Sequence, residues 1–349
     1  MKVTQQEIAD ILNLSDTTVS RCFTNHPKIN PETRSKVFQL ANKLGYSYRA
    51  VRNTNKAGDE QDCSTIAVLV GFPKEEMREG DTASKILNGI SERAAISGTA
   101  IQVYYLNPDE FSIAPGARRA VKNVNISDWS GVLLMFPFNV ESVKNLIGKV
   151  PTLSILDDYD ELSLDCVESD QHHGINAIMD RLIALGHTNI GFVSWEYQIK
   201  TKWADRRFGT YLEHMYLSGL KVNPENIINM LPGRRIATND IAEYLAGRTR
   251  AGATAWVFAA DHQAYYTLPG LKKYGIEVPR DCSITGFDGM LPPEGLPQLT
   301  TVAVPLEEIG FSAVHELERK MTSGIPKCRH VMVAGKLIKG ETTSLAPPI

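Results

Sequence analysis

From Thr65 onward the chain alternates short β-branched apolar runs with amphipathic stretches of helical period, and this pattern constrains the fold most. Thr65–Val70 is apolar at every position after the first, and similar strand-like runs recur at 101–106, 131–136, 152–156, 189–194, 226–230, 254–259 and 283–287. Between them the spacing predicts helices over 83–98, 171–185, 203–218, 236–246 and 262–274. The helix over 171–185 carries Ile175, Ile178, Met179, Leu182 and Ile183 at helical spacing and stops at Gly186. A strand covered on both faces is apolar throughout instead of alternating, so the pattern implies parallel sheets sandwiched by helices.

The first 45 residues follow another plan. Residues 5–12 read as a short helix with Ile8, Ala9, Ile11 and Leu12 facing inward. Asn13-Leu14-Ser15 is a turn, Ser15 is a suitable N-cap, and a second helix runs from Asp16 to Phe23. A third begins at Pro31, a favourable first helical residue, and ends at Leu44 with Gly45 closing it. Three short helices in this arrangement lay the second into a DNA major groove. Charge agrees: residues 1–56 hold nine Lys/Arg against four Asp/Glu, and the remainder 28 against 36. A basic head on an acidic body touches phosphates with one end only.

The pieces Val3-Thr4 with Glu7-Ile8-Ala9, Leu14 to Arg21 (Leu-Ser-Asp-Thr-Thr-Val-Ser-Arg), Thr33-Arg34 with Lys36-Val37, and Leu44-Gly45-Tyr46 resemble the lac repressor family of transcription regulators. Downstream, Leu185-Gly186-His187, Arg206 with Gly209, Gly275 to Asp288 and Leu299-Thr300-Thr301-Val302 stand in family order. The resemblance implies two periplasmic-binding-protein-like, doubly wound α/β subdomains behind a helix-turn-helix. The expected division is 1–48 for the DNA-binding domain and 49–63 for the hinge. One subdomain takes 64–168 with 298–328, the other 169–297 with 329–349. An effector is expected in the cleft where strand carboxyl ends face each other.

The same resemblance turns Asp16, Thr17 and Arg21 toward base edges and makes Thr4, Ser20, Asn25 and Tyr46 phosphate contacts. Arg21 can pair bidentately with guanine, and Thr17 can hydrogen-bond or meet a thymine methyl. Two roles stay open for Asp16, accepting from cytosine N4 or favouring its own helix dipole. In the hinge, Arg49, Ala50, Val51 and Arg52 can form a short basic helix, but Asn55 occupies the position of the family's minor-groove leucine. That substitution leaves the groove wedge missing or moved to Val51.

For the effector the resemblance points to Asp157, Arg206 and Asp288, each alternatively a solvated loop charge or a cap. Asp170 can cap the helix after it or touch ligand. Trp195, Tyr197 and Trp203 can stack on a sugar ring or a base, or simply fill the rim. Ala260-Asp261 departs from the family, which has a polar residue before the acid; Asp261 can cap the helix at His262 or line the cleft.

Other functions find little support. There is no GxGxxG after a strand, no GxxxxGK[ST] and no GxSxG, so no enzyme is expected. His172-His173 with Asp170 has no usual ligand spacing, and no metal or cofactor is implied. The five cysteines are scattered without a CxxC pair. No apolar run reaches membrane-spanning length and the N-terminus has no secretory pattern, so a cytoplasmic, non-membrane protein is expected. The sequence reads as a homodimeric DNA-binding regulator, a repressor on family precedent, binding a pseudo-palindromic operator under control of a small molecule, with a sugar favoured. The alternative is a small-molecule binding protein of periplasmic type without direct DNA regulation. The effector's identity, the operator sequence and the sign of control are not written in these residues.

Overall fold

The computed structural model describes residues 4–23, 29, 33, 36–37, 40, 64–71, 82–107, 111, 119–121, 124–159, 161–196, 202–233, 235–323 and 328–348. Asn25, Tyr46, Tyr197 and the hinge candidates Arg49, Ala50, Val51, Arg52 and Asn55 lie outside them.

The head opens with α1 (Gln5–Leu12) and α2 (Asp16–Phe23). Thr4 begins α1 with a capping box: its hydroxyl accepts the Glu7 N–H, and Glu7 reaches back to the Thr4 N–H at 2.8 Å. Asn13 ends α1 in the left-handed conformation, and Ser15 Oγ caps α2 by accepting the Thr18 N–H at 3.1 Å. Thr33, Lys36, Val37 and Leu40, the described residues of the third helix, are helical. Ile8, Ala9, Val19, Cys22 and Val37 form a fully buried core with Leu12, Leu14, Ile29 and Leu40 around it. Ile11, expected inward, is 58% exposed, because the face shared by Ile8, Ala9 and Leu12 turns it toward solvent.

Along the rest of the chain run β1 (Thr65–Val70), α3 (Thr82–Ser97), β2 (Ala100–Tyr105), β3 (Arg119–Val121), β4 (Val124–Asn125), β5 (Gly131–Met135), α4 (Val140–Ile147), β6 (Thr152–Ile155) and β7 (Asp165–Ser169). Then follow α5 (Gln171–Ala184), β8 (Ile190–Val193), α6 (Lys202–Leu217), β9 (Ile227–Ile228), α7 (Ile241–Arg250), β10 (Ala255–Phe258), α8 (Asp261–Lys273) and β11 (Ser283–Asp288). The last are β12 (Thr300–Ala303), α9 (Leu306–Ser323), β13 (His330–Val333) and β14 (Lys336–Ile338). The chain divides into Met1–Glu168 with Leu306–Val333, and Ser169–Pro305 with Ala334–Ile349.

In the first unit the sheet order is β13-β7-β6-β5-β1-β2, with β2, β1, β5, β6 and β7 parallel. Helices α3 and α9 cross there at backbone contact. A Cβ on Gly89 would lie 1.8 Å from the Glu307 carbonyl oxygen, and one on Gly310 would lie 2.1 Å from that of Ile86. Strand β7 buries two acids. Asp165 takes the Arg329 N–H at 2.7 Å and Lys320 Nζ at 3.2 Å, and Glu168 takes His330 Nε2 at 2.6 Å.

The second sheet runs β14-β12-β11-β10-β8-β9, parallel except for β14. Trp256, Phe258, Leu245 and Leu271 fill one face; Phe192, Tyr211, Met215 and Ile178 fill the other. His187 is buried and ties three segments, meeting Thr254 Oγ1 at 3.0 Å, Ser283 Oγ at 2.9 Å and the Ser344 carbonyl at 3.1 Å. The chain changes units later than the sequence suggested. Thr300 to Ala303 pairs with β11, so the second change follows Pro305 and not residue 297; β13 stays in the first sheet, so the third follows Val333 and not residue 328. The helix expected at 236–246 starts at Ile241, after a 3-10 turn at Thr238–Asp240.

Candidate functional site

On the head, Val19 and Cys22 point into the core while Asp16, Thr17 and Arg21 are exposed and Ser20 is half-buried. Successive helical residues turn by about 100°, so 16, 17, 20 and 21 share the outer face of α2. Asp16 stands in the first turn, where a carboxylate suits the helix dipole. Thr4 is exposed, its hydroxyl already serving as the cap of α1.

In the second unit, polar side chains gather at the carboxyl ends of β8, β10 and β11. Arg207 is the centre and is 4% exposed. Its Nε donates to Gln171 Oε1 at 2.7 Å, Nη1 donates to the Ala259 carbonyl, and Nη1 and Nη2 each lie 3.3 Å from Asp288 Oδ1. The guanidinium also stacks between two rings, 4.6 Å from the Trp203 centroid and 3.7 Å from that of Phe287. Gly174 makes room for that ring, since a Cβ there would sit 2.5 Å from Phe287 Cε2.

Asp288 ends β11 with φ 124° and keeps 33% of its side chain exposed. Loss of solvation pushes its carboxyl up from the ordinary value, against the pull of Arg207 and His262. His262 is held below its usual range, chiefly by burial. Its ring meets the edge of Trp195 at 5.0 Å, and Tyr266 meets the same indole at 5.4 Å. The Trp195 Nε1 is buried and has no hydrogen-bond partner among the described residues.

The arginine in this cluster is not the one the resemblance indicated. Arg206 is half-buried on the flank of α6, and a Cβ on Gly209 would meet nothing within 4 Å. Ala204, Arg207, Tyr211 and Met215 make the inward face. That spacing was the available signal: an arginine in step with buried apolar residues has to find partners inside. Gln171 and His262 were missed because each follows a helix start that reads as capping sequence.

The other expected acids separate. Asp170 caps α5, accepting the His173 N–H at 2.8 Å. Asp157 belongs to the first unit, half-buried just beyond β6. Asp261 is neither exposed to a ligand nor the cap of α8; it has no accessible surface, and the cap position is Ala260. Its Oδ1 accepts from Thr301 Oγ1 and its Oδ2 from the Met290 N–H, each at 2.7 Å. His172 Nε2 lies 3.0 Å from Glu213, and among the described residues no group of three His, Cys, Asp or Glu is placed to hold a metal ion. No helix among them is long and apolar enough to cross a membrane.

A groove-reading helix pair followed by a parallel-sheet core with a buried arginine-carboxylate cluster at its strand ends describes a DNA-binding protein with a ligand-binding body. Comparison with known proteins narrows this. Residues 4–48 match the bacterial regulatory proteins of the lacI family, and residues 179–343 match the periplasmic binding protein-like domain. The HTH-type transcriptional regulator DegA of Bacillus subtilis (strain 168) is 26% identical over 99% of both chains. The complex of the transcriptional regulator CelR with cellobiose shares the fold, with a TM-score of 0.62 at 18% identity, covering 98% of this chain and 100% of that one. So does the lac repressor dimer bound to operator and the anti-inducer ONPF, with a TM-score of 0.61 at 20% identity over 99% and 100%. The chain is similar to LacI-family regulators along nearly its whole length, and it is a DNA-binding transcriptional regulator.

Proposed function

We propose that this regulator is controlled by a neutral, hydroxyl-rich small molecule, a sugar, held at Arg207 and Asp288 of the second unit. The observation that carries the reading is the charge balance of that pair. Arg207 donates to Gln171, Ala259 and Asp288, so the guanidinium is already satisfied by the protein. An anionic ligand would bring an uncompensated charge to a closed ion pair. Hydroxyls instead bring donors to the exposed part of Asp288, and the half-buried Trp195 supplies an aromatic wall. The cellobiose held by CelR supports this ligand class.

The protein acts by binding and not by catalysis, as a homodimeric cytoplasmic repressor on a pseudo-palindromic operator. Asp16, Thr17 and Arg21 read bases, while Thr4, Ser20, Asn25 and Tyr46 position the head and residues 49–63 form the hinge. Ligand and operator affinity are then coupled, and each changes the other by the same factor. The dimeric lac repressor on its operator supports this assembly. Selection from a randomised DNA pool, with and without cellobiose, glucose and ribose, tests the reading. A palindrome should be enriched, and one of the sugars should shift its affinity. A response confined to charged metabolites would remove the sugar proposal, and a monomer on operator in sedimentation would remove the dimer.

A further inference from the structure

Asp261 is a fully buried carboxylate that touches no ligand surface, yet its bonds converge on the residue that does. Its oxygens accept from Thr301 Oγ1 on β12 and from the backbone N–H of Met290, while the Gly289 N–H lies 3.4 Å from the same Thr301 hydroxyl. The start of α8 and the turn after β11 are therefore tied through the Asp261 carboxylate, directly at Met290 and by way of Thr301 at Gly289. Gly286 lets Asp261 reach across, because a Cβ there would lie 2.0 Å from Asp261 Oδ1. Asp288 needs such support, since its φ of 124° is a backbone state that side-chain-bearing residues seldom adopt.

We propose that Asp261 is the positioning residue of the effector site, holding the turn after β11 so that Asp288 presents its carboxylate to Arg207 and to the ligand. The inference rests on the assignment of Asp288 as a ligand contact. It also gives the site a pH response. Burial and the neighbouring Asp288 push the Asp261 carboxyl up to about 7, so it ionises across neutral pH. The titratable groups facing it are Asp288, which repels the new charge, and through Asp288 the Arg207 cation and the His262 imidazole, which burial keeps neutral near pH 7; the Tyr265 phenol lies on its own helix. Ionisation of Asp261 sets it against Asp288 while strengthening the hydrogen bonds it accepts from Thr301 and Met290, so the hold on the turn changes across neutral pH.

The test uses the full-length protein with Asp261→Asn, Asp261→Ala, Thr301→Val and, as control, Asp288→Asn. Amide hydrogen exchange at Gly289 and Met290 is measured without ligand, and cellobiose, glucose and ribose are titrated by tryptophan fluorescence across neutral pH. In Asp261→Asn the side-chain amide oxygen still accepts the Met290 N–H while its NH2 donates to Thr301 Oγ1, which keeps its place beside the Gly289 N–H. That variant should thus keep the protection and the affinity but flatten their pH dependence. Asp261→Ala should speed exchange at both amides and weaken sugar binding, each by roughly tenfold or more. Unchanged exchange and affinity in Asp261→Ala would overturn the inference. If that variant does not fold, Thr301→Val, which removes one donor, and the pH profile of Asp261→Asn decide. Should no sugar bind, exchange at Gly289 and Met290 decides alone. Asp288→Asn that still binds sugar as wild type would instead overturn the assignment of Asp288, leaving the exchange result to judge Asp261.

Discussion

Two adjacent arginines make opposite predictions, and Met substitutions at each separate them, because methionine keeps length and helix preference without the charge. Arg207→Met strands the Gln171 side-chain oxygen and the Ala259 carbonyl, on residues 6% and 0% exposed. Each buried acceptor left without a donor costs about 1–3 kcal/mol. Breaking a buried ion pair costs about 3–5 kcal/mol, but Asp288 keeps a third of its side chain in water, so its share is discounted. The sulfur recovers some contact with Trp203 and Phe287. We expect the second unit to lose roughly 3 kcal/mol and sugar affinity to fall about 100-fold or more. Arg206→Met, on the half-exposed flank, should cost under about 1 kcal/mol and leave binding intact. Urea unfolding followed by tryptophan fluorescence, with sugar titration beside it, reads both quantities. If Arg206→Met abolishes binding while Arg207→Met is tolerated, the assignment of the inward face of α6 is wrong.

At the α3–α9 crossing, Gly89→Ala gains about 1 kcal/mol of helix preference but forces apart two backbones in contact, so a net loss of roughly 2 kcal/mol is expected; a higher melting temperature would contradict that geometry. The raised carboxyl of Asp261 makes the second unit less stable as pH climbs from 3.8 to about 7, because over that window the folded state holds the proton more tightly than the unfolded one. The full span is worth about 4 kcal/mol, and Asp261→Asn should flatten this slope in urea titrations at several pH values. Arg21→Ala should relax base preference at one position per half-site, a loss of about 1–3 kcal/mol of discrimination; selected-site sequencing that returns the wild-type motif would reassign that contact.

The parallel strands were legible because β1, β5, β8 and β10 are apolar on both faces. Strand β7 was not: Asp165-Cys166-Val167-Glu168-Ser169 puts two acids where a buried strand should be apolar. Those acids are tolerated only through Lys320, Arg329 and His330, partners that arrive far later in the chain and leave no local trace. The cluster around Arg207 shows the same limit. Asp288 and Trp195 fall near Arg207 and His262 at the strand ends, whereas which of Arg206 and Arg207 joins them depended on which side of α6 is packed. For Asp261 the sequence pointed to the correct region and the wrong contact, since its oxygens are claimed by a turn and a strand some 30 to 40 residues away.

The stretch His330 to Ile338 supplies the edge strand of both sheets, β13 beside β7 and β14 beside β12. Helix α9 likewise packs on α3, and Thr99, just beyond α3, bonds Glu318 of α9 from 219 residues away in sequence. Neither unit can therefore finish in the order in which it is synthesised. A nascent chain would carry two sheets with open edges at β7 and β12, together with the uncovered face of α3, until residues 306–338 leave the ribosome. Synthesis of this regulator thus has a long interval of exposed strand edges. Its yield in the cell should then depend on how well chaperones guard those edges, in addition to the stability of the finished fold.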